Sequence, residues 1–347
     1  MTAEKKNFFD FDLGELETIL ESWGEPRYRA SQVWDGVYKQ LKFHPNNISN
    51  IPKSLRSKLV ENFSWGNLQP EIELSSSDGQ TFKTLFRLED ENAIETVLMR
   101  YQKRRTLCIS SQSGCALGCV FCATGQMGLK RNLSSGEIVE QVLIFERSLR
   151  EKGDGLTNIV VMGMGEPLHN YKHTLAAVDR LNHPGGMNFG ARRFTISTVG
   201  LIPQILRFAR EKRQINLAVS LHAADNDLRR SMLPINIKYP LDELMDACRE
   251  YVSLTHRRIT FEWALINGVN DSVLQARQLA GLINGILCHV NIIPLNPTAG
   301  YQGTATSNQQ ALQFQAELTQ IGIPCTVRVR RGIDIHAGCG QLATKTS

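Results

Sequence analysis

The sequence predicts an α/β protein: a partial (β/α)6 barrel, preceded by a small helical domain and followed by a C-terminal strand-and-loop extension. Three observations predict it. From about residue 104 onward, short β-rich runs alternate with helical segments. Before about residue 90 the pattern is mostly helical. The chain, at 347 residues, is long enough to bury one large core with an appendage. The divisions fall at 1–90, a helical accessory domain with a linking hairpin; 101–334, the barrel core; and 335–347, a C-terminal tail.

In the first part, apolar residues at helical spacing run from Leu13 to Leu20, and after Gly24-Glu25-Pro26 a second helical pattern covers Tyr28 to Tyr38. Ile51-Pro52-Lys53 opens a third helix, Pro52 suiting a first turn. A polar turn at Ser75–Gly79 leads into two strands, Thr81–Leu88 and Ala93–Met99. The barrel strands are Thr106–Ser111, Ile159–Met162, Phe194–Ser197, Asn216–Leu221, Ile259–Leu265 and Val290–Pro294, with a late run at Thr326–Arg330. The first barrel helix starts at Ser134, whose partner Glu137 makes a capping box, and continues with Ile138, Val142, Phe145 and Leu149 on one face. Six units are too few to close an eight-fold barrel, and ligands of such sheets gather at the carboxyl ends of the strands.

Hydrophobic residues at 42% and charged residues at 21% describe an ordinary globular chain. No apolar run approaches the roughly 20 residues that span a bilayer, and the N-terminal stretch lacks an apolar core before a cleavage site. A cytoplasmic protein with no membrane contact is expected. Net charge of +5 and a pI near 8.8 are mildly basic. Eight cysteines without a secretory signal point to metal or redox chemistry rather than a disulfide framework.

Three of them, Cys115, Cys119 and Cys122, have C-x3-C-x2-C spacing directly after the first barrel strand. Three thiolates can hold three irons of a cubane and leave the fourth iron open. That iron can chelate the amino and carboxylate groups of a methionine derivative and pass an electron to its sulfonium. Zinc is the rival, but structural zinc wants four closed ligands, and no C-x-x-C partner lies nearby. Phe121 is placed to pack on the cluster or cofactor, or to serve as an ordinary core aromatic. A second group sits at successive strand ends: Gly163-Met-Gly165-Glu166-Pro167, Ser197, Ser220-Leu221-His222 and Asn296. Each alone is a turn former or a core histidine; their shared rim makes them candidates for binding that methionine derivative, with Glu166 able to accept from an ammonium group.

The segment QSGCALGCVFCATGQMGLKRNL resembles the cluster loop of the RlmN/Cfr radical methyltransferases. The resemblance continues through GMGEPLHNY, TISTVGLIP, SLHAADNDLRR, PIN, NGVND and DIHAGCGQL, from about Arg27 to Leu342. It implies a radical SAM barrel, a [4Fe–4S] cluster on Cys115, Cys119 and Cys122, and S-adenosylmethionine used twice per turnover. It implies that Cys339 carries a methyl group, that Cys108 later attacks the Cys339 sulfur to leave a transient disulfide, and that Glu95 accepts a proton. GEP followed by Leu-His-Asn is closer to RlmN than to Cfr, which implies methylation at adenine carbon 2 rather than carbon 8. The implied partners are 23S ribosomal RNA, transfer RNA and a flavodoxin-type electron donor, acting on a monomer. Cys248, Cys288 and Cys325 read as small core residues.

Basic doublets Lys103-Arg104-Arg105, Lys130-Arg131, Arg192-Arg193, Arg229-Arg230, Arg257-Arg258 and Arg330-Arg331 offer phosphate contacts, against the plainer reading of solvated surface. Two other classes compete: a radical SAM activase or mutase, which needs neither Cys108 nor Cys339, and a zinc-stabilised RNA-binding protein.

Overall fold

The structure, a computed structural model, describes residues 5–344. The outermost residues of the two terminal divisions, 1–4 and 345–347, lie outside the described residues.

Ten strands form one sheet whose spatial order is the chain order. They are β1 (Gln69–Ser75), β2 (Thr81–Arg87), β3 (Ala93–Arg100), β4 (Arg105–Cys108), β5 (Asn158–Val161), β6 (Phe194–Thr198), β7 (Asn216–Ser220), β8 (Ile259–Leu265), β9 (Cys288–Pro294) and β10 (Cys325–Val327). From β4 to β10 every pairing is parallel. The connections of β5 through β10 therefore need crossovers, and helices supply them. β1, β2 and β3 pair antiparallel and extend the sheet beyond β4.

Within this sheet the expected strands are present, the last ending at Val327 rather than Arg330, with one addition. β1 reads Gln-Pro-Glu-Ile-Glu-Leu-Ser and is exposed along nearly its whole length. An edge strand with little apolar surface has no alternation for a sequence reading to find. A bulge between Pro70 and Ile72 further breaks its register. Pro52 also sits one place earlier than expected, preceding the helix Lys53–Asn62 rather than entering its first turn.

Helix Ser135–Arg150 lies between β4 and β5 and is the bracket of the molecule. Its capping box forms as expected, Ser134 Oγ accepting from Glu137 N and the Glu137 carboxylate from Ser134 N. Its Gln141 amide reaches the sheet, donating to Ser110 O and accepting from Ser110 N and from the Thr96 hydroxyl. Its Glu140 accepts from Asn7 Nδ2, Asn67 N and Leu68 N, pinning the N-terminal helical module at both of its ends. Gly136 allows this docking: a Cβ there would lie 2.8–2.9 Å from Asn7, Asp10 and Phe9. Inside the module, Phe8 stacks on Trp65 at 4.1 Å and meets Phe63 edge-on. These rings close its core over the helices Leu13–Ser22, Tyr28–Tyr38 and Lys53–Asn62. No helix among the described residues is long and apolar enough to cross a membrane.

Candidate cluster and methyl-carrier site

The cysteine loop is more than a loop. It is the tip of a two-stranded antiparallel ribbon, Gln112–Gly114 with Leu129–Asn132, closed by Cys115 N donating to Gly128 O. Inside it the backbone turns toward the sulfurs. Leu117 N–H points at the Cys115 thiol, and the N–H groups of Thr124 and Gly125, opening the short helix Ala123–Gln126, point at Cys122. Burial pushes Cys115 up to about 11 and Cys122 upward, and Cys119 rises furthest, from burial and then from its thiol neighbours. Thiols held so far from ionisation become thiolates when a strongly cationic group binds them. Among the described residues no three His, Cys, Asp or Glu side chains converge on a single ion. A cubane gives each thiolate its own iron, so its ligands stand farther apart than those of one zinc. The three thiols and the N–H groups aimed at them fit a [4Fe–4S] cluster.

The rim residues sit where the sequence placed them. Gly165 has φ +94°, and a Cβ there would fall 2.4 Å from Gln112 Cβ, so only glycine lets this turn lie against the ribbon. Gln112 fastens the two, accepting from Glu166 N at 2.7 Å and donating to Asn132 Oδ1. Glu166 is buried, and its carboxylate oxygens accept from Leu168 N and Val199 N, tying the turn after β5 to the turn after β6. Burial pushes this carboxyl up to about 7. The Thr198 hydroxyl is a third donor to this carboxylate, which leaves one lone-pair position for a further donor. Ser197 and Ser220 are half-buried near the ends of β6 and β7. Leu221 is buried, and His222 has φ 61° and accepts from Ala264 N through Nδ1. Burial drives His222 down to about 3, so the ring is neutral. Phe121 meets it edge-on at 5.0 Å and Tyr301 at 6.4 Å. Asn296 donates to Cys339 O, while its Oδ1 is buried with no donor among the described residues, an acceptor open to a ligand.

The C-terminal segment crosses from the β10 edge back to β2 and then climbs over this rim. Ser77 N donates to Asp334 Oδ2 and Lys83 Nζ to His336 O. Ala123 N donates to Gly340 O, the Thr124 hydroxyl to Leu342 O, Gln341 Nε2 to Pro297 O, and Ala343 N to Glu95 Oε2. Cys339 is thereby delivered to the mouth. The residue as a whole is exposed there, but its thiol is turned into the protein: desolvation raises it, and the nearby Glu262 and Cys122 add to the effect. Cys108, at the end of β4, receives Met162 N–H and lies within reach of Cys339; burial pushes it up to about 12. Both are free thiols. Glu95, on β3, is buried and paired with Lys83 at 2.8 Å. Cys248 and Cys288 are buried, and Cys325 is half-buried beside Gln315 O.

One basic doublet is corrected. Arg229 is fully buried, not a phosphate contact. It donates to Leu221 O, Val199 O, Ser220 O and Asn236 Oδ1, holding the turns after β6 and β7 together beneath Cys119. Burial lowers it to about 10, which leaves it charged at neutral pH. Arg131 is likewise engaged, by Asp90 and Glu137. The sequence reading offered Arg229 only as a surface cation and gave Lys83, Gln112 and Gln341 no role. Only Lys83 left a signal, a cation between Phe82 and Leu85-Phe86 within the strand Thr81–Arg87.

A partial parallel barrel with three thiols on a ribbon below an open rim defines a radical SAM enzyme, whose cofactors are a [4Fe–4S] cluster and S-adenosylmethionine. The model of the radical SAM superfamily matches residues 109–280, and that of the ribosomal RNA large subunit methyltransferase N-terminal domain matches residues 6–64. The dual-specificity RNA methyltransferase RlmN 1 of Myxococcus xanthus is 49% identical over 97% of this chain and 94% of that protein. A crystal structure of a radical SAM methyltransferase from Sphaerobacter thermophilus superposes with a TM-score of 0.96 at 51% identity, covering 98% of this chain and 100% of that one. The chain belongs to the RlmN family: it is an S-adenosylmethionine-dependent RNA methyltransferase that works by a radical mechanism.

Proposed function

We propose that this enzyme methylates carbon 2 of an adenine in 23S ribosomal RNA and in transfer RNA, using Cys339 as the methyl carrier. The observation that carries the reading is that Cys339, far from Cys108 and Cys122 in sequence, lies near enough to each for their charges to interact at the barrel mouth. A relative named a dual-specificity RNA methyltransferase agrees with two RNA substrates.

Cys115, Cys119 and Cys122 would hold the cluster, and Gly165, Glu166, Ser197, Ser220, Leu221, His222 and Asn296 would hold S-adenosylmethionine. A cluster held there would supply the electron that splits the sulfonium of a bound S-adenosylmethionine. Cys339 first takes a methyl group from one S-adenosylmethionine by displacement, so a turnover consumes two. The 5′-deoxyadenosyl fragment of the second would take one hydrogen atom from that S-methyl group, and the carbon radical so formed, still bonded to the Cys339 sulfur, would add to the electron-poor carbon 2. Glu95 would accept the proton that leaves carbon 2, and the surplus electron of the adduct would return to the cluster. Cys108, as a thiolate, then attacks the Cys339 sulfur and breaks its bond to the new carbon; that carbon takes up a proton to become the methyl group the RNA keeps, and the two cysteines become a disulfide. External reductant restores the thiols, and a flavodoxin-type protein supplies electrons to the cluster. The enzyme acts as a cytoplasmic monomer, and its N-terminal module contacts the RNA. A groove of about 460 Å³ between that module and helix Ser135–Arg150, lined by Lys39, Lys42, Phe43, Arg147 and Arg150, suits a phosphate backbone. The target base must leave its stack to reach the mouth.

The test is Cys108→Ala co-expressed with RNA. A covalent protein–RNA adduct, seen as an RNase-sensitive shift on a denaturing gel, is expected. No adduct together with intact methylation sinks the two-cysteine scheme. Mass spectrometry of nucleosides from treated RNA then decides between carbon 2 and carbon 8.

A further inference from the structure

We propose that Lys83 is a positioning residue, which with Glu95 forms one buried clasp holding the Cys339 loop at both ends. The inference rests on the roles given above to Glu95 and Cys339. Its geometry begins in the ladder of β2 and β3. Lys83 is opposite Val97, and Glu95 lies two places along from Val97 on the same face, so the two charged side chains are diagonal neighbours. Both are buried, with side-chain exposures of 8% and 1%, and Lys83 Nζ stands 2.8 Å from Glu95 Oε1. Among the described residues each has one further partner, and both belong to the C-terminal segment. Lys83 Nζ donates to His336 O at 3.3 Å, and Glu95 Oε2 accepts from Ala343 N at 2.9 Å.

One ion pair thus grips the chain before Cys339 and again after it. The gripped stretch, residues 337–342, includes the methyl-carrier cysteine. Neither charge has water to fall back on, so each needs the other, and loss of the ammonium leaves a buried carboxylate unpaired. The pair therefore links two functions. The cation that fixes where Glu95 points also fixes whether Cys339 is seated over the mouth. A mispositioned loop and a mispositioned proton acceptor follow together from the loss of one side chain.

The test uses full-length, cluster-loaded enzyme carrying Lys83→Met, with Lys83→Arg as the conservative variant. Cys339 alkylation by iodoacetamide, followed by peptide mass spectrometry, is expected to speed up about tenfold or more in Lys83→Met. The kcat for RNA methylation falls by a similar factor, KM for RNA stays within about twofold, and Lys83→Arg recovers most of both. Wild-type alkylation and kcat in Lys83→Met overturn the inference, as does a loss of kcat that Arg fails to rescue while alkylation is unchanged. If Lys83→Met fails to fold or to hold iron, Ala343→Pro serves instead. It deletes the N–H that Glu95 accepts, at the end of the segment, and leaves the Lys83–Glu95 pair in place; the same faster alkylation is expected. An unchanged rate there is equally fatal. Cys339→Ala separates the two levels: full methylation by that variant removes the proposed carrier, whereas an inactive Cys339→Ala beside a normal Lys83→Met removes the clasp alone.

Discussion

The ribbon that carries Cys115, Cys119 and Cys122 and the segment that carries Cys339 both present sulfur at the same mouth, yet they are held in opposite ways. The ribbon is fastened largely from within: Cys122 N bonds Cys119 O, Gln126 N bonds Cys122 O, and local N–H groups face the thiols. The C-terminal segment takes most of its anchors from distant parts of the chain, among them Ser77, Lys83, Glu95, Ala123, Thr124, Asn296 and Pro297. A locally closed loop is set by its own short sequence. A segment hung on scattered single bonds can be released by weakening a few of them, because each is worth only about 1 kcal/mol net. A binding platform suits the first arrangement, and a group that must change partners during a reaction suits the second.

Three substitutions probe that contrast, in decreasing order of effect. Cys119→Ala removes a ligand from the ribbon without touching the segment. Iron per chain should fall from about four toward zero and 5′-deoxyadenosine formation to background; retention of a full, active cluster would falsify the assignment. Arg229→Met strips the charge that binds four acceptors beneath the rim. A loss of roughly 3 kcal/mol in urea unfolding is expected, since several buried oxygens lose their donor. A change under about 0.5 kcal/mol, the size typical of a surface substitution, means those oxygens are not dependent on it. Gln341→Ala acts on the segment alone, freeing Gly338 N and Pro297 O. Global stability should move little, while methylation drops up to about tenfold, the equivalent of about 1.4 kcal/mol against the seated loop. A large fall in unfolding midpoint instead would make the segment part of the core.

The same contrast explains what could be read from the sequence. The cluster loop, the strand-end rim and the parallel strands were legible because spacing and periodicity are local facts. The Ser134 capping box and the helix Tyr28–Tyr38 were legible for the same reason. Strand β1 was not, because an exposed polar edge has no buried face to imprint a pattern. Arg229 was not either: in sequence it is one of several arginine doublets, and only the convergence of backbone carbonyls from the turns after β6 and β7 shows why it is inside. Cys108 and Cys339 came from resemblance to a family, since nothing in their spacing brings them together. Lys83 shows the limit most clearly. Its two partners lie at the positions 95 and 336, one a side chain and one a carbonyl, so no motif announces it.

The sequential order of the sheet has a consequence for how the protein is made. Every strand emerging from the ribosome finds its neighbour already synthesised, so the ribbon and its surrounding rim can assemble while the remainder is still being translated. Cys339 arrives last and must travel back to the earliest strands to be seated. A nascent or prematurely terminated chain could collect iron, but it would lack the sulfur that turns radical generation into RNA modification.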